Sequence, residues 1–157
     1  MASKKPIILF VHGGWHTVEH YRTFLDILEA KGYTVVAPDL PSSLEPTPEN
    51  PAEADIKLFS DTARTLADEG NEIVAAAHSY GGLVATEAFN GLGIKARKEQ
   101  GLQGGIRSII CIAGFLLGKE MTLEGSAPAE MVGWCAYKVS PIIFAPWEEM
   151  HITVSTG

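Results

Sequence analysis

Ala77-His78-Ser79-Tyr80-Gly81-Gly82 follows the apolar run Ile73-Val74-Ala75-Ala76-Ala77 and precedes a helical pattern through Leu83, Val84, Ala88 and Phe89. A serine between a buried strand and a helix, with small residues two positions to either side, has the layout of a nucleophile elbow. The turn must be tight and strained, so bulk at Ala77 or Gly81 would collide with neighbouring backbone. Such a turn raises the serine hydroxyl above the sheet. It also aims the N–H of Tyr80, at the helix N-terminus, toward developing negative charge. Ala77 stands where glycine is commoner. A strand–turn–helix with two glycines can also be purely structural, so the rest of the chain must decide.

Outward from this stretch the pattern alternates between strands and helices. Ile7–Val11 is a continuous apolar run, as in a strand covered on both faces. Val18, Tyr21, Leu25 and Leu28 step by three and four, which predicts a helix from about Val18 to Lys31, capped by Thr17 and ended by Gly32. Thr34–Ala37 reads as a second strand. Five prolines between Pro38 and Pro51 predict an irregular loop. Ile56, Phe59, Ala63 and Leu66 mark a second helix ending at Gly70, and a third runs from Tyr80 to about Leu92. A loop rich in Gly, Lys and Gln then leads to a fourth strand, Ser108–Ala113. Strands joined by helices of this length imply right-handed crossovers and a parallel sheet.

A second signature, Val11-His12-Gly13-Gly14-Trp15, ends the first strand. Glycines there let the backbone turn and approach a ligand, so the Gly14 N–H can point into the same pocket as that of Tyr80. Two converging backbone donors make an oxyanion hole. A phosphate loop is disfavoured, because neither Gly-Lys-Ser/Thr nor G-x-G-x-x-G is present.

The 157 residues fit one domain, 46% hydrophobic and 20% charged, as expected of a soluble globular chain. A formal charge of −7 argues against nucleic acid as partner. The basic cluster Lys95-Ala96-Arg97-Lys98 reads as a solvated loop. Cys111 and Cys135 lack metal-ligand spacing, and Cys111 reads as a buried free thiol. The run Ile7–Val11 is too short for a signal core or a membrane span, which makes the cytoplasm the default setting.

The chain resembles the serine α/β-hydrolases, and within them the small esterases related to plant methylesterases and hydroxynitrile lyases, together with their fungal counterparts. The resembling residues are Phe10-Val-His-Gly-Gly-Trp-His16, Gly32-Tyr-Thr-Val-Val-Ala-Pro-Asp-Leu-Pro41 and His78-Ser-Tyr-Gly-Gly82. The resemblance implies an α/β fold with a parallel four-stranded sheet in spatial order 2-1-3-4 and helices on both faces. It makes residues 1–115 a partial hydrolase core and residues 116–157 the start of a lid followed by a divergent tail. It makes Ser79 the nucleophile and Gly14 and Tyr80 the oxyanion donors. It places Trp15 and His16 at the pocket mouth, where the alternative is packing under the Pro38–Pro51 loop. His12, Gly13 and His78 complete the candidate pocket. The structural readings of the two histidines are that His12 fixes its loop and that His78 packs against the sheet.

The pattern then departs from the family, which supplies its acid and histidine after the serine. No Asp follows Asp68, and His151 is the sole histidine after Ser79. His151, with Glu148 or Glu149, is therefore the candidate base, and the chain reads as cut short inside the lid. Asp39 reads as a loop cap or as an orienter of a histidine. Three functions remain: hydrolysis of a small ester, thioester or lactone, with fungal secondary metabolism as a setting; a hydroxynitrile-lyase-like reaction; or a non-catalytic remnant. None needs a metal or organic cofactor. The expected partner is a small-molecule substrate, with self-association through an incomplete sheet edge.

Overall fold

A computed structural model describes residues 4–114 and the short strand Ile152–Thr153. Strand β1 (Ile7–Val11) is buried along its whole length, as its unbroken apolar run requires. After it come a 3-10 turn (Val18–Tyr21), helix α1 (Arg22–Ala30) and strand β2 (Val35–Val36). A 3-10 turn at Pro41–Ser43 leads to helix α2 (Pro51–Asp68), which begins on a proline whose missing N–H is not needed there. Strand β3 (Glu72–His78), helix α3 (Gly81–Ala88), helix α4 (Ile94–Glu99) and strand β4 (Gly105–Ile112) follow. Strand β5 is Ile152–Thr153.

The sheet is parallel in the order β2-β1-β3-β4-β5. The 2-1-3-4 arrangement is thus present. One addition lies beyond it: β5 pairs with β4 through Ile109↔Ile152 and Ile110↔Thr153, so β4 is not the outermost strand at those residues. On one face Leu9, Val11, Ile73, Ala75, Ala77 and Ile109 pack with Phe59, Ala63 and Val84 of α2 and α3. On the other, Ile8, Phe10 and Ala76 pack with Leu25 of α1.

Three local expectations are corrected. The basic segment Lys95–Lys98 is not a solvated loop but part of α4, and Arg97 is buried. Its guanidinium donates to Asp68 Oδ1 (2.8 Å) and to the carbonyls of Gln103 (3.1 Å) and Gly104 (3.2 Å), which closes the α4–β4 loop onto α2. The predicted third helix, Tyr80 to Leu92, is shorter. The chain leaves helical geometry at Phe89 and turns at Gly91 (φ 72°) before α4. Cys111 is free, and partly rather than fully buried. Residues 116–157, expected to hold a lid, lie outside the described residues apart from β5, as do His151 and Cys135. Among the described residues no helix is long and apolar enough to cross a membrane.

Candidate active site

Ser79 sits between the last residue of β3 and the first turn of α3, at φ 51°. Positive φ costs a non-glycine residue free energy and persists only where the surroundings impose it. Here the surroundings are the end of β1, paired with β3 up to Val11↔Ala77. A Cβ at Gly81 would drive into the carbonyl oxygens of Val11 and His12, the latter at 2.7 Å, so the approach of α3 to β1 requires glycine. The Ser79 N–H donates to the Ile112 carbonyl at 3.2 Å, tying the turn to β4.

The loop after β1 lies against this turn. A Cβ at Gly14 would be 3.6 Å from Tyr80 Cβ and 3.8 Å from its Cγ, so the Gly14 backbone faces the Tyr80 side chain. A Cβ at Gly13 would be 2.9 Å from His78 Nδ1 and 3.4 Å from Ser79 Cβ. Neither the Gly14 N–H nor the Tyr80 N–H has an acceptor among the described residues. Trp15, next in the loop, is at φ 59° and is 63% exposed. It stands at the surface rather than packing under the proline-rich loop.

The histidines near the turn are committed elsewhere. His12 is fully buried and joins the loop after β1 to that after β2: the Leu40 N–H donates to its Nε2 (2.9 Å), and its Nδ1–H donates to the Gly13 carbonyl (2.8 Å). This pattern fixes the neutral tautomer, and burial holds its pKa below the ordinary imidazole value. Asp39, 3.5 Å from His12 Nε2, accepts the Val18 N–H at 2.6 Å and so starts the 3-10 turn. It acts there as a cap.

Tyr21 is a hub that sequence periodicity marks only as a core residue. Its hydroxyl oxygen accepts the Gly13 N–H (3.2 Å) and is shared between Nδ1 of His16 (2.6 Å) and Nδ1 of His78 (2.8 Å). One hydroxyl proton serves two rings, so one Nδ1 accepts while the other donates. The two imidazoles lie parallel, 2° apart in plane, with centroids 6.2 Å apart. Burial, and then the charge His16 can carry, push the His78 pKa down. His20 is exposed and accepts the Thr17 N–H at 3.0 Å. Among the described residues the Ser79 hydroxyl has no hydrogen-bond partner, so none of these imidazoles is bonded to it.

On the opposite face, Asp55 is fully buried at the start of α2. Its Oδ1 accepts the Ser42 N–H (2.9 Å) and its Oδ2 accepts the Tyr80 hydroxyl (3.0 Å). Burial raises the Asp55 pKa above the usual carboxylate value. Burial, followed by the nearby carboxylate, pushes the Tyr80 phenol far above its ordinary range. Sequence reasoning passed over Asp55, although it sits four residues before Phe59 on the buried stripe of α2, where a carboxylate signals a specific partner. No cluster of three or more His, Cys, Asp or Glu able to hold a metal occurs among the described residues.

A sequence profile described as the alpha/beta hydrolase family matches residues 8–151. The alpha/beta hydrolase nvfD of Aspergillus novofumigatus is 30% identical over 132 residues, covering 81% of this chain and 52% of that protein. The chain therefore spans about half the length of that relative. An extracellular alpha/beta-hydrolase from a Paenibacillus species superposes with a TM-score of 0.63 at 18% identity, over 83% of this chain and 49% of the other. It is described as sharing structural and functional homology with tobacco salicylic acid binding protein 2. Polyneuridine aldehyde esterase superposes with a TM-score of 0.59 at 18% identity, over 82% of this chain and 51% of its own.

Proposed function

The chain belongs to the alpha/beta hydrolase family, and we propose that it carries the nucleophile half of a serine hydrolase acting on a small-molecule ester, thioester or lactone. The observation that carries this reading is a serine at φ 51°, on a turn that lies against the Gly13-Gly14 loop, with the Gly14 and Tyr80 N–H groups lacking acceptors among the described residues. Ser79 attacks the substrate carbonyl. The N–H groups of Gly14 and Tyr80 stabilise the oxyanion of the tetrahedral intermediate, and water releases the acyl group. Trp15, exposed beside Gly14, meets the substrate at the mouth of the site, with His16 behind it. The esterase named among the superposed structures supports an ester as the substrate class.

A serine needs a base to deprotonate it, and His151 is the histidine that follows Ser79 in the family's order. We assign it as the candidate base, with Glu148 or Glu149 beside it. The test is hydrolysis of p-nitrophenyl acetate by the full chain, Ser79→Ala and His151→Ala. Turnover lost in Ser79→Ala supports the reading, and its loss in His151→Ala as well assigns the base. Turnover that persists in Ser79→Ala contradicts it. A chain without an effective base turns over at least ~10³-fold more slowly than one with an intact triad, because oxyanion and binding effects alone remain.

A further inference from the structure

Helix α2 contributes a carboxylate that no step of the reaction above uses. Asp55 is fully buried and accepts two hydrogen bonds, one from the Ser42 N–H and one from the Tyr80 hydroxyl. A buried carboxylate with a single partner would be costly, so this pair of bonds is structurally enforced. Tyr80 is an unusual place for the second bond to end. Its backbone N–H is one of the two donors without an acceptor among the described residues, and its side chain faces Gly14, which carries the other: a Cβ built on Gly14 would stand 3.6–3.9 Å from Tyr80 Cβ, Cγ and Cδ1. The Tyr80 side chain thus borders the Gly14 loop at its near end, and Asp55 holds its far end.

We propose that Asp55 is a positioning residue: acting through the Tyr80 hydroxyl, it locks the ring that sets the separation of the Gly14 and Tyr80 amides. A phenol free to swing would let the Gly13-Gly14 loop shift, because glycines provide no side chain to lock it from within. A displacement well under the length of a hydrogen bond suffices to weaken a preorganised pair of donors. The proposal rests on the serine-hydrolase reading for its catalytic consequence, but its structural content can be tested without turnover.

The experiment compares the full chain with Tyr80→Phe, Asp55→Asn and the double variant. Tyr80→Phe removes the ring's anchor and leaves Asp55 with the Ser42 N–H. Asp55→Asn leaves one acceptor for two donors. In ¹⁵N-resolved NMR, the Gly14 and Tyr80 amide resonances are expected to move or broaden in both single variants. The Leu25 and Ile27 amides in α1 stay put, and the double variant adds no further change at Gly14. On p-nitrophenyl acetate, kcat is expected to fall roughly tenfold in each single variant with KM within about twofold, since the oxyanion exists only beyond the ground state. A Gly14 amide unmoved in both single variants overturns the proposal and leaves Asp55 as a tie between α2 and the Pro41–Ser43 turn. So does a rise in KM at constant kcat. Wild-type chain without Ser79-dependent turnover defeats the serine-hydrolase reading instead, and the amide resonances then decide the positioning role alone. Should Asp55→Asn fail to fold, Tyr80→Phe carries the same test.

Discussion

The two halves of one sheet face differ in how they are covered. Phe10 and Ala76, paired across β1 and β3, lie under α1, and Phe10 packs at 4.9 Å from the Tyr21 ring and 5.8 Å from that of Phe24. Ile110 and Ile112 of β4 pair with Ala76 and His78, so they share that face, yet they are 41% and 40% exposed. The covered half adjoins the Ser79 turn through Tyr21, whose hydroxyl bonds the Gly13 N–H and His78, while the Tyr80 side chain packs on the opposite face. The geometry of the turn is therefore fixed by packing, while the β4 half contributes one backbone acceptor, the Ile112 carbonyl, to the Ser79 N–H. The elbow is built by contacts among the first three strands, and β4 serves mainly as its margin.

Substitutions should separate the halves sharply. The largest effect is expected at the junction of β1 and α3. Gly81→Val places side-chain atoms on the Val11 and His12 carbonyls, and urea unfolding should show a loss above ~4 kcal/mol, or no folded protein. Phe10→Ala, in the covered half, should cost ~3–5 kcal/mol. Ile110→Ala, on the same face in the other half, should cost under ~1 kcal/mol, since much of its side chain is already in water. Equal costs at residues 10 and 110 would erase the distinction.

A pH effect of intermediate size also belongs to the covered half. Burial lowers the pKa of His12 and His78, so the unfolded chain binds these protons first as pH falls below the ordinary imidazole value of 6.5. Stability is fully present above that value and is lost as pH falls, with a slope no steeper than about 1.4 kcal/mol per pH unit for each histidine. Asp55, whose pKa is raised, works in the opposite sense: its burial costs least when it is protonated, and this cost grows as pH rises above the ordinary carboxylate value of 3.8. Chemical denaturation from pH 7.5 to 5.5 should show the histidine slope, reduced in His12→Gln relative to that variant's own stability at pH 7.5. The smallest change is expected for Ile110→Lys/Ile112→Lys. Its stability should stay within ~0.5 kcal/mol of wild type, while sedimentation should show less self-association if the exposed isoleucines mediate it.

Legibility in the sequence follows the same division. The buried strand Ile7–Val11, the turn at Ser79 and the glycine at 81 could be read because each answers a local demand: an apolar run covered on both faces, a tight reversal, a close approach. The strand order came from the family resemblance. The helix at Ile94–Glu99 was not legible, because its one buried side chain is Arg97, whose apolar stem and satisfied guanidinium leave no apolar period to detect. Tyr21 was legible as a position on a helical stripe but not as a polar hub, and Asp55 was not read at all. Their partners, His16, His78 and Tyr80 among them, are set by tertiary proximity, which spacing alone does not encode. Asp55 could have been flagged by asking why a carboxylate occupies the stripe of Phe59 and Ala63.

The most direct test of the account is covalent. The full chain is incubated with a fluorophosphonate and the adduct is located by peptide mass spectrometry. The account predicts a single adduct on Ser79, absent in Ser79→Ala and formed more slowly in Tyr80→Phe. No adduct after prolonged exposure, or an adduct on another residue at equal rate in Ser79→Ala, would contradict it.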